Sequence, residues 1–165
     1  MRFKIISITA EYIKQFNIAV DAVARERKYL AFLTGPSMDM STAFVQENIK
    51  GNWPHVVAIA ENKVVGWCDI TSIHRDVAEH VGSLGIGVIE GYRGIGIGEE
   101  LMHAALQLAK DRGLTRIELT VRENNTRAIE LYKKLGFSAE GLHRNAIRID
   151  GKYENYISMA LLLNY

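Results

Sequence analysis

The stretch Leu84-Gly85-Ile86-Gly87-Val88-Ile89, followed closely by Arg93-Gly94-Ile95-Gly96-Ile97-Gly98, decides the fold. An apolar run of strand character turns through alternating glycines directly into a helical run. Such a turn leaves backbone N–H groups unpaired at the helix start, aimed at one point and reinforced by the helix dipole. The second stretch therefore reads as a phosphate cradle. Side chains would hold a ligand's oxygens off the backbone, and a concave nest of amides calls for positive φ, so glycine belongs there.

Spelling separates the familiar cradles. A P-loop needs Lys-Ser or Lys-Thr after its last glycine, whereas Glu99-Glu100 follows Gly98. A dinucleotide fingerprint reads G-x-G-x-x-G early in a βαβ unit, but this run reads G-x-G-x-G past the middle of the chain. An unliganded turn would gain nothing from three alternate glycines, each costing about 0.5–1 kcal/mol inside a regular element.

Arg93-x-x-Gly96-x-Gly98 resembles the R/Q-x-x-G-x-G/A pyrophosphate signature of the GNAT superfamily of acyl-CoA-dependent N-acetyltransferases. Asn125-x-x-Ala128-x-x-Leu131-Tyr132-x-x-x-Gly136-Phe137 resembles that superfamily's second signature, at the usual separation. With the flanking pattern the resemblance covers nearly the whole chain, and it is strongest to bacterial amino-acid and phosphinothricin acetyltransferases.

At 165 residues the chain, 1–165, reads as a single domain able to bury an ordinary core. Lys plus Arg number 20 against 19 Asp plus Glu, so no global field draws it to nucleic acid or membrane. The lone Cys68 excludes an internal disulfide and fits a reducing, cytoplasmic setting. No long apolar stretch suggests a membrane span. His55, His103 and His143 are too scattered for a metal site.

Periodicity gives a first strand at Phe3 to Ile8, then a helix capped by Thr9 and running to about Arg27. A second helix opens at Ser41 or Thr42 and ends near Gly51. Val56 to Ala60 and Lys63 to Ile70 form a hairpin about Glu61-Asn62, and Val81 to Ile89 is the next strand. The cradle helix carries Ile97, Leu101, Ala104, Ala105 and Leu108 and stops at Gly113. Arg116 to Val121 is a strand, Asn125 caps a last helix ending at Gly136, and Asp150-Gly151 turns a final hairpin.

This order predicts an α/β (α+β) fold with a central mixed, mostly antiparallel sheet and helices on both faces. The resemblance adds that the strands flanking the cradle helix splay apart. Pantetheine of acetyl-CoA would lie in the gap as a pseudo-strand, partnered by the backbone of Ile86 and Val88. Gly85 and Gly87 suit a bulge or a close backbone approach there.

Acetyl transfer to an amine requires a neutral amine, a stabilised oxyanion and a proton for the leaving thiolate. By the resemblance, Tyr132 is the acid, Asn125 contacts the cofactor, and the cradle residues Arg93 to Gly98, with Glu99, bind it. Lys133 or Lys134 would reach the 3′-phosphate, and a backbone N–H near Val88 would meet the oxyanion. Candidate bases are Glu79 and His80, with His74 in the preceding loop. Tyr29, Trp67, Arg75, Arg144, Tyr153 and Tyr156 lie in segments that border the acceptor in that superfamily. The expected acceptor is a small primary amine, best an amino acid. A protein N-terminus, a polyamine, and a CoA-binding regulatory module without catalysis are the alternatives. Oligomeric state stays open, a homodimer included.

Overall fold

The computed structural model describes residues 1–163. Its strands are β1 (Lys4–Ser7), β2 (His55–Ala60), β3 (Lys63–Ser72), β4 (Val81–Val88), β5 (Arg116–Arg122), β6 (Ser138–Ile149) and β7 (Lys152–Leu162). Its α-helices are α1 (Ile13–Arg25), α2 (Met38–Lys50), α3 (Ile97–Arg112) and α4 (Thr126–Lys134). The strands form one sheet in the order β1-β2-β3-β4-β5-β7-β6. All neighbouring pairs described are antiparallel except β4 and β5.

The sheet is covered on both sides, which is why β2 and β3 read as nearly unbroken apolar runs. Val56, Ala58, Val65, Cys68 and Ile70 face α3 and α4, where Leu101, Ala105 and Tyr132 meet them. The alternate residues Val57, Ile59 and Trp67 face α1 and α2, against Phe16, Val20 and Val45.

Local signals explain most element ends. Gly113 closes α3 in the left-handed region (φ 89°), and the Asn125 side chain accepts the Ala128 N–H at the start of α4. Glu61-Asn62 and Asp150-Gly151 each place two residues at positive φ, the requirement of a type I′ hairpin turn.

Three expectations change. Thr9 precedes a short 3₁₀ turn, Ala10–Tyr12, and makes no side-chain cap; α1 begins only at Ile13. α2 opens a turn earlier than Ser41, because the Ser37 hydroxyl accepts the Met40 N–H. The β3 to β4 register runs without a shift from Gly66↔Val88 to Ser72↔Gly82, so Gly85 and Gly87 mark no bulge in that ladder. Gly87 is required by packing instead: a Cβ there would collide with the Trp67 ring.

Replacing Gly87 by Ala forces that indole out of its slot against Phe16. Overpacking of this kind costs about 1–3 kcal/mol. We expect Gly87→Ala to lower the urea midpoint accordingly, and an unchanged midpoint would contradict the packing account.

Candidate active site

The parallel pairing of β4 with β5 extends over Val81↔Arg116, Gly82↔Ile117 and Ser83↔Glu118 and then stops. Beyond it the two strands keep only their outer partners: β4 stays paired with β3 as far as Val88, and β5 with β7 as far as Arg122. The gap opens into a cleft of about 770 Å³ lined by Leu84 to Val88, by Thr120 to Arg122, by cradle glycines and by Tyr132.

Strand alternation determines which backbone groups face this gap. The Ile89 N–H donates to Val65 C=O at 2.9 Å, so Gly87 and Gly85 also turn their polar groups to β3. Ile86 and Val88 turn theirs toward β5, where no ladder receives them. Unpaired backbone groups in such a wall call for a polar partner from a ligand or from water.

At the mouth of the gap, Gly94 (φ 81°) and Gly96 (φ 92°) adopt the left-handed region, and Gly96 caps α3 without a side chain. Gly94, Gly96, Gly98 and Glu99 line the cleft. Gly98 is already helical, and a Cβ there would meet Leu131 of α4 at an ordinary contact distance of 3.5 Å. Ile97 is 1% exposed and belongs to the core, and Ile95 points largely to solvent, so neither brings a side chain to the cleft.

The Arg93 guanidinium does not turn into the cradle. Its Nε donates to Val88 C=O (2.7 Å), its Nη1 donates to Glu26 (2.8 Å), and it stacks on Tyr29 at 4.6 Å. The cation at the cradle is Arg127 of α4, whose Nη2 would be 2.9 Å from a Cβ at Gly94. Lys134 donates to Glu99 at 2.8 Å, an exposed pair of small energetic weight.

Tyr132 lies on the α3 and α4 side of the gap, 6% exposed, with its ring against Phe137. Burial raises its hydroxyl pKa, and the nearby Cys68 adds to the shift. The hydroxyl makes no hydrogen bond to another described residue. Asn125 lines the cleft while capping α4.

Several expected site residues lie elsewhere. Glu79 and His80 precede β4, and the His80 carbonyl accepts the Thr115 and Arg116 N–H groups at the β5 start. That is the opposite end of the sheet, about 25 Å from the cradle at ~3.3 Å per strand residue. His74 and Arg75, in the β3 to β4 connection, share that end. Trp67 is 4% exposed in the core. Arg144, Tyr153 and Tyr156 lie on the final hairpin and do not line the cleft; Tyr156 stacks on His143. Tyr29 alone of the expected acceptor set reaches it.

Sequence reading missed what holds the other wall. Arg122, 4% exposed at the end of β5, donates to the carbonyls of Arg27 (2.8 Å) and Leu30 (2.6 Å) and lies 3.4 Å from Glu154. Arg27 in turn pairs with Asp150 at the hairpin tip. The loop after α1 is thus fastened over the gap from two sides. Alternation places Arg122 on the polar face of β5 with Arg116, Glu118 and Thr120, so the local pattern carried no signal of its burial.

Comparison with known proteins agrees with this architecture. The profile described as the acetyltransferase (GNAT) family matches residues 23–137. The chain belongs to that family and is an acetyl-CoA N-acetyltransferase of the GNAT type. It is 33% identical over 106 residues to the L-amino acid N-acetyltransferase AaaT of Escherichia coli, covering 64% of this chain and 65% of that protein. It is 26% identical over 145 residues to the ribosomal protein bS18-alanine N-acetyltransferase of Haemophilus influenzae, covering 87% and 96%. A 69-residue match at 39% identity to the spermidine N(1)-acetyltransferase of E. coli covers 39% and 37%. A Sinorhizobium meliloti phosphinothricin acetyltransferase solved with AcCoA shares the fold, with TM-score 0.89 at 21% identity over 99% of this chain and 89% of that one.

Arg122→Met should release the 27–30 loop and cost about 1–3 kcal/mol by leaving buried acceptors unpaired. Limited proteolysis should then cut within residues 27–31. A variant as resistant as wild type would contradict the fastening role.

Proposed function

We propose that this enzyme transfers the acetyl group of acetyl-CoA directly to the primary α-amine of a small molecule, an amino acid fitting best. The observation that carries the choice of acceptor is the charge of the fastened wall. Arg27 and Arg122 line it already paired with Asp150 and Glu154, and Lys28 adds a cation with no ion-pair partner among the described residues, which leaves the wall net positive. Such a wall suits a carboxylate and opposes a polycation. Its closure by Arg122 and Asp150 also leaves little room for an extended peptide.

In this reading the cradle amides around Gly94 and Gly96 hold the pyrophosphate, helped by Arg127. The inward backbone groups of Ile86 pair with the pantetheine arm, and of Val88 only the N–H is free to face it. The Val88 carbonyl is already occupied by Arg93, so its N–H is the group left to meet the oxyanion. Asn125 fixes the α4 start beside the thioester. Tyr132, a phenol that holds its proton at neutral pH, donates the proton that the leaving sulfur needs. An α-amine near pKa 8 costs only about 1–1.5 kcal/mol to deprotonate at pH 7, which asks little of the enzyme compared with a lysine-like amine.

Tyr132→Phe keeps the ring packed and deletes the hydroxyl. It should lower kcat by roughly 10–10³-fold with acetyl-CoA Kd and Tm near wild type. Wild-type kcat in this variant would return Tyr132 to a packing role. A panel of amino acids, spermidine and N-terminal peptides, read by release of the CoA thiol, tests the acceptor. Amino acids should lead, and Lys28→Ala should raise their KM. A polyamine or peptide ahead by about tenfold, roughly 1.4 kcal/mol, would replace the amino-acid reading.

A further inference from the structure

Asp69 is a carboxyl in the middle of β3, a strand whose central residues, Val64 to Ile70, are all buried. It makes no hydrogen bond or ion pair with any other described residue, an unusual condition for a buried carboxylate. Its place in the sheet shows what it can reach. Register pairs it with His55 on one side and Gly85 on the other, so the three residues form a row on the face covered by α1 and α2. Gly85 lines the cleft and belongs to the splayed part of β4. A Cβ on Gly85 would stand 3.4 Å and 3.5 Å from the two Asp69 oxygens. Asp69 does not itself line the cleft; Gly85, bare of a side chain, is what stands between the gap and the carboxyl. Asp69 keeps 8% exposure where its strand neighbours Cys68 and Ile70 have none.

We propose that Asp69 is the general base of the transfer, taking a proton from the acceptor amine past the bare Gly85. This rests on the acetyltransferase reading above. Asp69 and Tyr132 stand on opposite faces of the sheet with the gap between them, so base and acid flank the reacting carbonyl from two sides. The amine lone pair attacks the thioester carbon and forms the C–N bond, and an N–H proton passes to an Asp69 oxygen. The C–S bond breaks, its electron pair leaves on sulfur, and the Tyr132 hydroxyl protonates that sulfur. Asp69 returns its proton to solvent and Tyr132 regains one.

Burial alone lifts the Asp69 pKa from 3.8 to about 7, which matches a base working near neutrality. The titratable group facing it on β2 is His55, whose buried ring has its pKa lowered to about 3 and stays neutral with Nδ1 beside Asn48. From α1 this face is packed by the apolar Phe16, Val20 and Val23. At the cleft, Glu26 is paired with Arg93, and Glu154 with Arg122. Burial raises the neighbouring Cys68 thiol well above its usual range, so it is inert here.

The test measures kcat against pH for wild type, Asp69→Asn and Gly85→Ala, with acceptor amines of different pKa and with acetyl-CoA Kd measured on each protein. Wild type should show an acid limb near pH 7 that stays in place as the amine is changed. Asp69→Asn should lose that limb and roughly 10²-fold in kcat at pH 7, with acetyl-CoA affinity retained. Gly85→Ala, whose methyl meets the carboxyl at ordinary contact distance, should fold normally, lose activity and move the limb to higher pH. Linkage gives a readout of the opposite sign. The folded protein retains a proton on Asp69 between pH 4 and 7 that the unfolded chain has lost, so stability falls as pH rises through that window. Asp69→Asn should therefore melt higher than wild type at pH 8. An active wild type whose limb persists unchanged in Asp69→Asn overturns the proposal while leaving the acetyltransferase reading intact. A wild type that binds acetyl-CoA but transfers to no amine overturns both.

Discussion

Three residue pairs of parallel ladder between β4 and β5, ending at Ser83 and Glu118, are the constraint on which the rest of this molecule depends. Had the ladder continued, the backbone groups of Ile86 and Val88 would be satisfied by β5 and the sheet would be closed. Because it stops, the sheet has an internal edge. An exposed edge is ordinarily a hazard that proteins cover. Here α3 and α4 cover it from one face and the fastened 27–31 loop from the other, leaving a slot whose walls demand hydrogen bonds.

The slot divides the chemistry by face. The glycine cradle and Arg127 stand where β4 turns into α3, and Tyr132 stands beside them under α4. Trp67, Asp69 and the row through Gly85 belong to the α1 and α2 face. The two glycines of β4 share this face but serve different neighbours: Gly87 yields to an indole, and Gly85 leaves a carboxyl uncovered. Arg93, the first residue of the signature, fastens Glu26 and the Val88 carbonyl together, and so joins the end of α1 to the end of β4.

Features set by local chemistry were legible in the sequence. Asn125 as a cap, Gly113 as a stop, Asp150-Gly151 as a turn and the cradle before α3 all depend on a few adjacent residues, and each stands where it was expected. Features set by distant partners were not. The Arg93 to Glu26 pair spans 67 residues and the Arg122 to Arg27 bond 95, beyond any local pattern. Glu79 and His80 misled because they are close to β4 in sequence, while strand direction carries them to its far end. Asp69 carried a signal that pattern reading passed over: one charge inside the run Val64-Val65-Gly66-Trp67-Cys68-Asp69-Ile70, whose neighbours all demand burial.

Amide hydrogen exchange along β4, read residue by residue with and without acetyl-CoA, tests the splayed edge most directly. In the free protein the amides of Gly85, Gly87 and Ile89, paired with β3, should be protected, and those of Ile86 and Val88 should exchange quickly. Saturating acetyl-CoA should slow Ile86 and Val88 and leave their neighbours nearly unchanged. Protection of Ile86 and Val88 already present without ligand, or no response of either to acetyl-CoA, would contradict the account.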